Sequence, residues 1–165
     1  MIAKTPRDSH VESRHLVMPH QANPAGIAFG GEILSLIDMA AGMVAQRHCG
    51  HEVVTVGIDQ ISFLAPINIG DHVVLKASVN YVGYTSMEVG VLVTKENPHT
   101  GETVRATTAY LTLVGIDANK RPTPIPPLRP ETPDELRRHE NARLRVEARR
   151  ALVQKLRARA IQPKG

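Results

Sequence analysis

Apolar positions along the chain fall into one helix-like block followed by several strand-like ones. From Glu32 to His48, Ile33, Leu34, Leu36, Ile37, Met39, Met43 and Val44 surround most of a helix axis, which predicts a helix buried on most sides. Gly50 then acts as a C-terminal stop. Val53–Phe63 is rich in Val and Ile, with Thr55, Gly57 and Asp59 in alternation, and Pro66 and Gly70-Asp71 end it. His72–Tyr81, Ser86–Lys95 and Thr103–Ile116 repeat with the period of strands, separated by Gly83 and by the turn signal Asn97-Pro98-His99-Thr100-Gly101. Three strands with short turns predict an antiparallel meander. A buried helix before it predicts an α+β architecture with the sheet curled around that helix.

The flanks are less regular. Residues 1–10 are polar and read as a frayed lead-in, and His15–Met18 is a short strand ended by Pro19. Residues 19–31 form a loop rich in Pro, Asn and Gly. Six prolines in residues 121–133 predict an extended linker. Pro133–Ala160 then reads as a charged helix on which Leu136, Leu144, Leu152 and Leu156 form a narrow stripe. The expected organisation is a domain over 1–120, a linker over 121–133 and a basic helical tail over 134–165, the tail serving assembly or covering an edge.

Charge follows that division. Residues 1–128 hold 9 Lys+Arg and 11 Asp+Glu, whereas residues 129–165 hold 11 and 5. The pI of about 9.5 thus belongs to the tail. Because Glu and Asp are interspersed there, a solvated helix face is expected and nucleic acid or membrane is not. With 3 Tyr, 2 Phe and no Trp, the core is aliphatic and no platform for stacking bases is visible. A single cysteine excludes an intramolecular disulfide framework, and the N-terminal stretch has no apolar signal region. A cytoplasmic location is expected.

Three features carry chemistry. Asp38 is the lone charge in residues 33–45, and an unpaired carboxylate in apolar surroundings is costly. Its neighbours on the helix face, Leu34, Ser35, Ala41 and Gly42, are mostly small and leave room for a water or substrate. A structural hydrogen bond or a contact across a dimer would explain it equally. Gly30-Gly31 opens the helix, where unsatisfied amides polarise a carbonyl or hold an oxyanion. The same pair also suits a tight turn. Asn23 offers a donor and an acceptor, or simply forms a turn before Pro24. His48, Cys49 and His51 match no zinc spacing, so no metal is expected.

The stretch from Asn23 through Phe29-Gly30-Gly31 to Asp38 resembles the signature of the hot-dog acyl-CoA thioesterases, of the YciA and brain acyl-CoA hydrolase type. Val53-Val-Thr-Val, Phe63-Leu-Ala-Pro and Gly83-Tyr84-Thr85-Ser86-Met87 agree with the family in order, so the likeness covers roughly residues 15–117. It implies a hot-dog fold, acyl-CoA hydrolysis, and dimers joined edge to edge, often as trimers of dimers. The site would lie between subunits, with Asn23 from one chain and Asp38 from the other as catalytic residues. Phe29, Gly30, Gly31, Gly83, Tyr84, Thr85 and Ser86 would bind the thioester and coenzyme A, which enters as part of the substrate, not as a cofactor. Glu32 departs from members that carry a bulky aromatic after the two glycines. A non-catalytic acyl-CoA sensor, or a hot-dog dehydratase or hydratase, is the alternative. The absence of a His from the helix before His48 argues against the latter.

Overall fold

The computed structural model describes residues 1–160, which divide into two compact units, Met1–Arg129 and a second beginning at Pro130. The first holds α1 (Pro6–Ser9), β1 (Val11–Leu16), a 3-10 turn (Pro19–Gln21), α2 (Gly30–Cys49), β2 (Glu52–Ile58), β3 (His72–Val82), β4 (Ser86–Glu96) and β5 (Thr103–Ile116). The second carries α3 (Pro133–Ala160). The five strands form one antiparallel sheet in the order β1-β3-β4-β5-β2. Register shifts at Val79/Tyr81, Thr55/Gly57 and Val93/Thr94 interrupt the ladders, and such bulges sharpen the twist that curls a sheet. With α2 against one face, this is a hot-dog fold.

The packing explains why so few aromatics suffice. Ile33, Ile37, Ala40, Ala41, Val44 and Ala45 of α2 are buried together with Val73, Leu75, Val89, Val91, Leu111 and Leu113 of the sheet. The alanines let the helix axis approach closely, so aliphatic side chains fill the layer at ordinary density. Gly115 extends the same logic, because a Cβ there would meet Ile125 Cγ1 at 3.3 Å. Burial of α2 is less complete than its sequence predicts: Met39 and Met43 are 53% and 44% exposed.

Several flanking segments differ from expectation. The first ten residues are built in, not frayed. Lys4 bridges to Leu128, and its Nζ donates to the Arg47 and His48 carbonyls at 2.9 and 2.8 Å. It thereby satisfies acceptors that a helix end leaves open. Residues 121–129 are likewise part of the first unit, with Ile125 buried and Lys4 N–H bonded to the Pro127 carbonyl. The early strand is Val11–Leu16 in place of His15–Met18, and β2 stops at Ile58, five residues short. Beyond Ile58 the chain still follows β5, through Leu64 N–H to Ala106 O and Thr107 Oγ1–H to Ser62 O, but without a regular ladder. On α3, Leu136, Leu144, Leu152 and Leu156 are all exposed. No described helix is long and apolar enough to cross a membrane.

His48 locks the end of α2. It is fully buried, and its Nε2 lies 2.9 Å from the Pro126 carbonyl, which can only accept, so Nε2 carries the proton. Nδ1 is buried without a partner. Burial holds its pKa below the usual 6.5, Lys4 adding to the effect while the Pro126 bond and Asp8 oppose it. The unfolded chain therefore takes up a proton that the folded chain refuses, and stability falls as pH drops below about 6.5. His48→Gln removes the titration and keeps a donor. Urea midpoints followed from about pH 7.5 to 5 should fall less steeply in the variant; parallel slopes would discharge His48 from this role.

Candidate active site

Asp38 lies on the side of α2 that faces β2, and its carboxylate is exposed. Thr55 Oγ1–H donates to Asp38 Oδ1 at 2.7 Å. That bond fixes one oxygen and leaves Oδ2 to solvent or a ligand. Thr55 did not stand out in the sequence, where it was one polar position in an alternating strand. The residue opposite it on β5 is Leu113, which is buried. Since directly opposite residues share a face, Thr55 points to the helix side.

Asn23 sits in a short loop built by its own side chain. Its Oδ1 accepts the amides of Ala25 and Ile27 at 2.9 and 3.2 Å, and its backbone pairs with Ile27 and Gly26. The turn-forming role is thus real. It also orients the side chain, since a carbonyl committed to the loop leaves the NH2 group as the outward donor. The loop leads to Phe29, the N-cap of α2. Glu32 and Ile33 amides both bond the Phe29 carbonyl, at 3.0 and 3.3 Å. Among the described residues, the Gly30 and Gly31 amides before them have no acceptor. A Cβ on Gly30 would rest 3.4 Å from the Phe63 ring, whereas Gly31 faces open space.

Gly83, Tyr84, Thr85 and Ser86 form the tight β3–β4 turn, closed by Gly83 N–H to Ser86 O at 2.8 Å. Tyr84 is 77% exposed, while the Tyr84 and Thr85 carbonyls are tied to the Ile125 and Gly115 amides. The Asn23 loop is anchored elsewhere, with Ala28 N–H on Ile67 O and Ile69 N–H on Gly26 O. Those contacts precede the start of β3, and the 83–86 turn follows its end. At about 3.3 Å per residue the two lie roughly 30 Å apart along the strand. The structure therefore brings Asp38 and Thr55 together, and gathers Asn23, Phe29, Gly30 and Gly31 around the start of α2. It does not bring the 83–86 turn to that end of the chain.

Other reactive side chains stand apart. Cys49 is buried, its Sγ–H donating to the His51 carbonyl at 3.3 Å. Burial pushes its thiol pKa up, which suppresses the nucleophilic thiolate. Among the described residues no cluster of three His, Cys, Asp or Glu is arranged to hold a metal ion.

The model of the thioesterase superfamily matches residues 25–102. The uncharacterized acyl-CoA thioester hydrolase YkhA of Bacillus subtilis is 41% identical over 87% of this chain and 84% of its own length. The chain belongs to the thioesterase superfamily. Two solved thioesterase structures extend the likeness over nearly the whole chain. An acyl-CoA hydrolase of Staphylococcus aureus, in complex with butyryl coenzyme A and coenzyme A, is 32% identical with a TM-score of 0.89, covering 96% of each chain. That enzyme has also been solved with an aspartate, a threonine and an asparagine each replaced by alanine. An apo-hexameric acyl-CoA thioesterase is 35% identical with a TM-score of 0.89, over 93% of this chain and 98% of that one.

In this thioesterase Gly31 is not required by the fold. No positive φ constrains it and a Cβ would meet nothing within 4 Å. Gly31→Ala should therefore leave the melting temperature unchanged or slightly raised, since Ala is the better helix residue. Its rate of thioester cleavage should drop, because a methyl group would obstruct close approach of a ligand to the amide. A variant as active as the parent would show that no ligand atom approaches there.

Proposed function

We propose that the protein hydrolyses acyl-CoA to a free carboxylic acid and coenzyme A, at a site shared by two copies of the chain. Asp38 serves as general base or nucleophile, oriented by Thr55. The NH2 group of Asn23 holds the water or the thioester carbonyl, and the Gly30 and Gly31 amides take the negative charge that develops on the carbonyl oxygen. The observation that carries this reading is the exposed Asp38 carboxylate pinned by Thr55, on a helix whose first two amides stand open among the described residues. A thioester is already electrophilic, so a positioned carboxylate and fixed oxyanion donors suffice for its hydrolysis. Coenzyme A enters as part of the substrate.

Spacing supports the residue roles. In the Staphylococcus aureus enzyme the replaced asparagine, aspartate and threonine are separated by 15 and 17 residues. Asn23, Asp38 and Thr55 stand at the same separations.

The two sheet edges support the shared site. β1 is guarded by charge, with Glu12 and Arg14 paired to Lys76 and Glu96. β2 instead exposes Val54, Val56 and Ile58. An apolar, unpaired edge is the one that seeks a partner strand. Pairing β2 with its own copy about a two-fold axis is antiparallel, so opposite ends of the two chains meet. The Asn23 end of one chain then faces the Gly83–Ser86 end of the other, which resolves their separation within one chain. The hexameric relative accords with assembly in multiples of such a pair.

Asp38→Asn should lower turnover by about 10²–10⁴-fold, the usual cost of a lost general base, without changing the melting curve. Thr55→Val, which keeps the shape and removes the hydroxyl, should lower it less. Near-parental turnover of Asp38→Asn, measured by release of free coenzyme A thiol, would remove Asp38 from the mechanism.

A second experiment tests the composite site. Inactive Asn23→Ala and Asp38→Ala chains, dissociated and reassembled together, should regain part of the activity in mixed dimers. If subunits demonstrably exchange and activity stays absent, each chain holds its own complete site.

A further inference from the structure

Gln21 makes three contacts that together govern what the start of α2 can bind. Its backbone carbonyl accepts the Phe29 amide at 2.9 Å. Its side-chain Oε1 accepts the Met18 amide at 3.0 Å, which holds the side chain in place. Its Nε2 donates to Glu32 Oε2 at 3.3 Å. Glu32 is the third residue of α2 and the acid of its first turn. A glutamate at that position ordinarily folds back to cap the helix, with its carboxylate on the N-cap amide. Here the N-cap amide is that of Phe29, and Gln21 has taken it. The carboxylate is drawn to Gln21 Nε2 instead, outside the helix start.

The consequence falls on Gly30 and Gly31. The Glu32 carboxylate, tethered one residue beyond Gly31, is the nearest acidic group in sequence to two amides that lack an acceptor among the described residues and carry the positive end of the helix dipole. Were it released, it would compete for those amides with any incoming oxyanion, because charge-assisted bonds to backbone N–H groups are strong. We propose that Gln21 is a positioning residue that restrains the Glu32 carboxylate and so keeps the Gly30 and Gly31 amides open for the substrate oxygen. This rests on the assignment of those amides to the oxyanion. It adds that this chain carries a potential internal inhibitor in its own first helical turn, together with the residue that disarms it.

The test is a rescue. Gln21→Ala should lower kcat for acyl-CoA roughly ten-fold, a fraction of the about 10²–10³ that outright loss of an oxyanion donor costs. Adding Glu32→Ala to that variant should restore most of the loss, since the competing carboxylate is gone. A role confined to holding the loop would not give this recovery, because removing Glu32 cannot rebuild the side-chain bond to Met18. If Gln21→Ala does not fold, Gln21→Met preserves the volume, removes both side-chain bonds and supports the same comparison. Asp38→Asn is measured alongside. An inactive Asp38→Asn with a Gln21 variant that Glu32→Ala does not rescue overturns the restraint alone. An active Asp38→Asn overturns the active-site reading itself.

Discussion

Burial of α2 along the concave face of the sheet is the packing from which the rest of the structure follows. Its Ile33, Ile37, Ala40, Ala41 and Val44 side is sealed against β3, β4 and β5, which fixes the rotation of the helix about its axis. With that rotation set, Asp38 must turn toward β2, where Thr55 meets it. The carboxylate thus avoids the cost of a dry interior through geometry, being on the rim of the core and not within it. The same rotation leaves Met39 and Met43 exposed, on the side of the helix away from its buried face.

Both ends of α2 show how helix termini are put to opposite uses. At the C-terminal end the open carbonyls are closed off: Gly50 adopts the left-handed conformation at φ 74°, and Lys4 caps the Arg47 and His48 carbonyls. His48 then ties this end to Pro126. At the N-terminal end Phe29 provides no side-chain cap, and two amides are left without acceptors. A helix saturated at one end and open at the other directs its unsatisfied donors to a single place, where a ligand gains most from them.

Elements with a strong period were legible in the sequence, and those made by long-range contacts were not. β5 begins and ends at Thr103 and Ile116, and α3 begins at Pro133, as their patterns predict; residues 161–165 of the expected tail lie outside the described residues. The turn at Asn97–Gly101 forms through the Asn97 side chain, as its residue types suggest. Asp38 was legible because one charge broke an apolar helix. Thr55 was not, because its role depends on which face of β2 meets the helix, and the register shift after Thr55 adds a residue that a simple alternation does not count. Gln21 was hidden for a related reason: its partners Met18, Phe29 and Glu32 lie on both sides of a loop whose closure no local pattern encodes. The polar first ten residues looked unstructured because Lys4 finds its acceptors more than forty positions away.

The contrast between the two sheet edges connects stability to activity. A strand edge lined by Glu12 and Arg14 resists pairing with another chain, since bringing those charges beneath a second strand would strip their water. The β2 edge carries charge only at its first residue, Glu52, and its exposed valines and isoleucine gain from being covered. The proposed pairing through β2 would bury the apolar edge and, by the direction a two-fold axis imposes, bring opposite ends of the two sheets together. In the dimer proposed above, one contact would both cover an apolar strand and bring Asn23 of one copy to the Gly83–Ser86 turn of the other. Within one chain the Asp38–Thr55 pair and the open amides are complete, while the turn stays at the far end of β3, which is the separation that the proposed pairing would close.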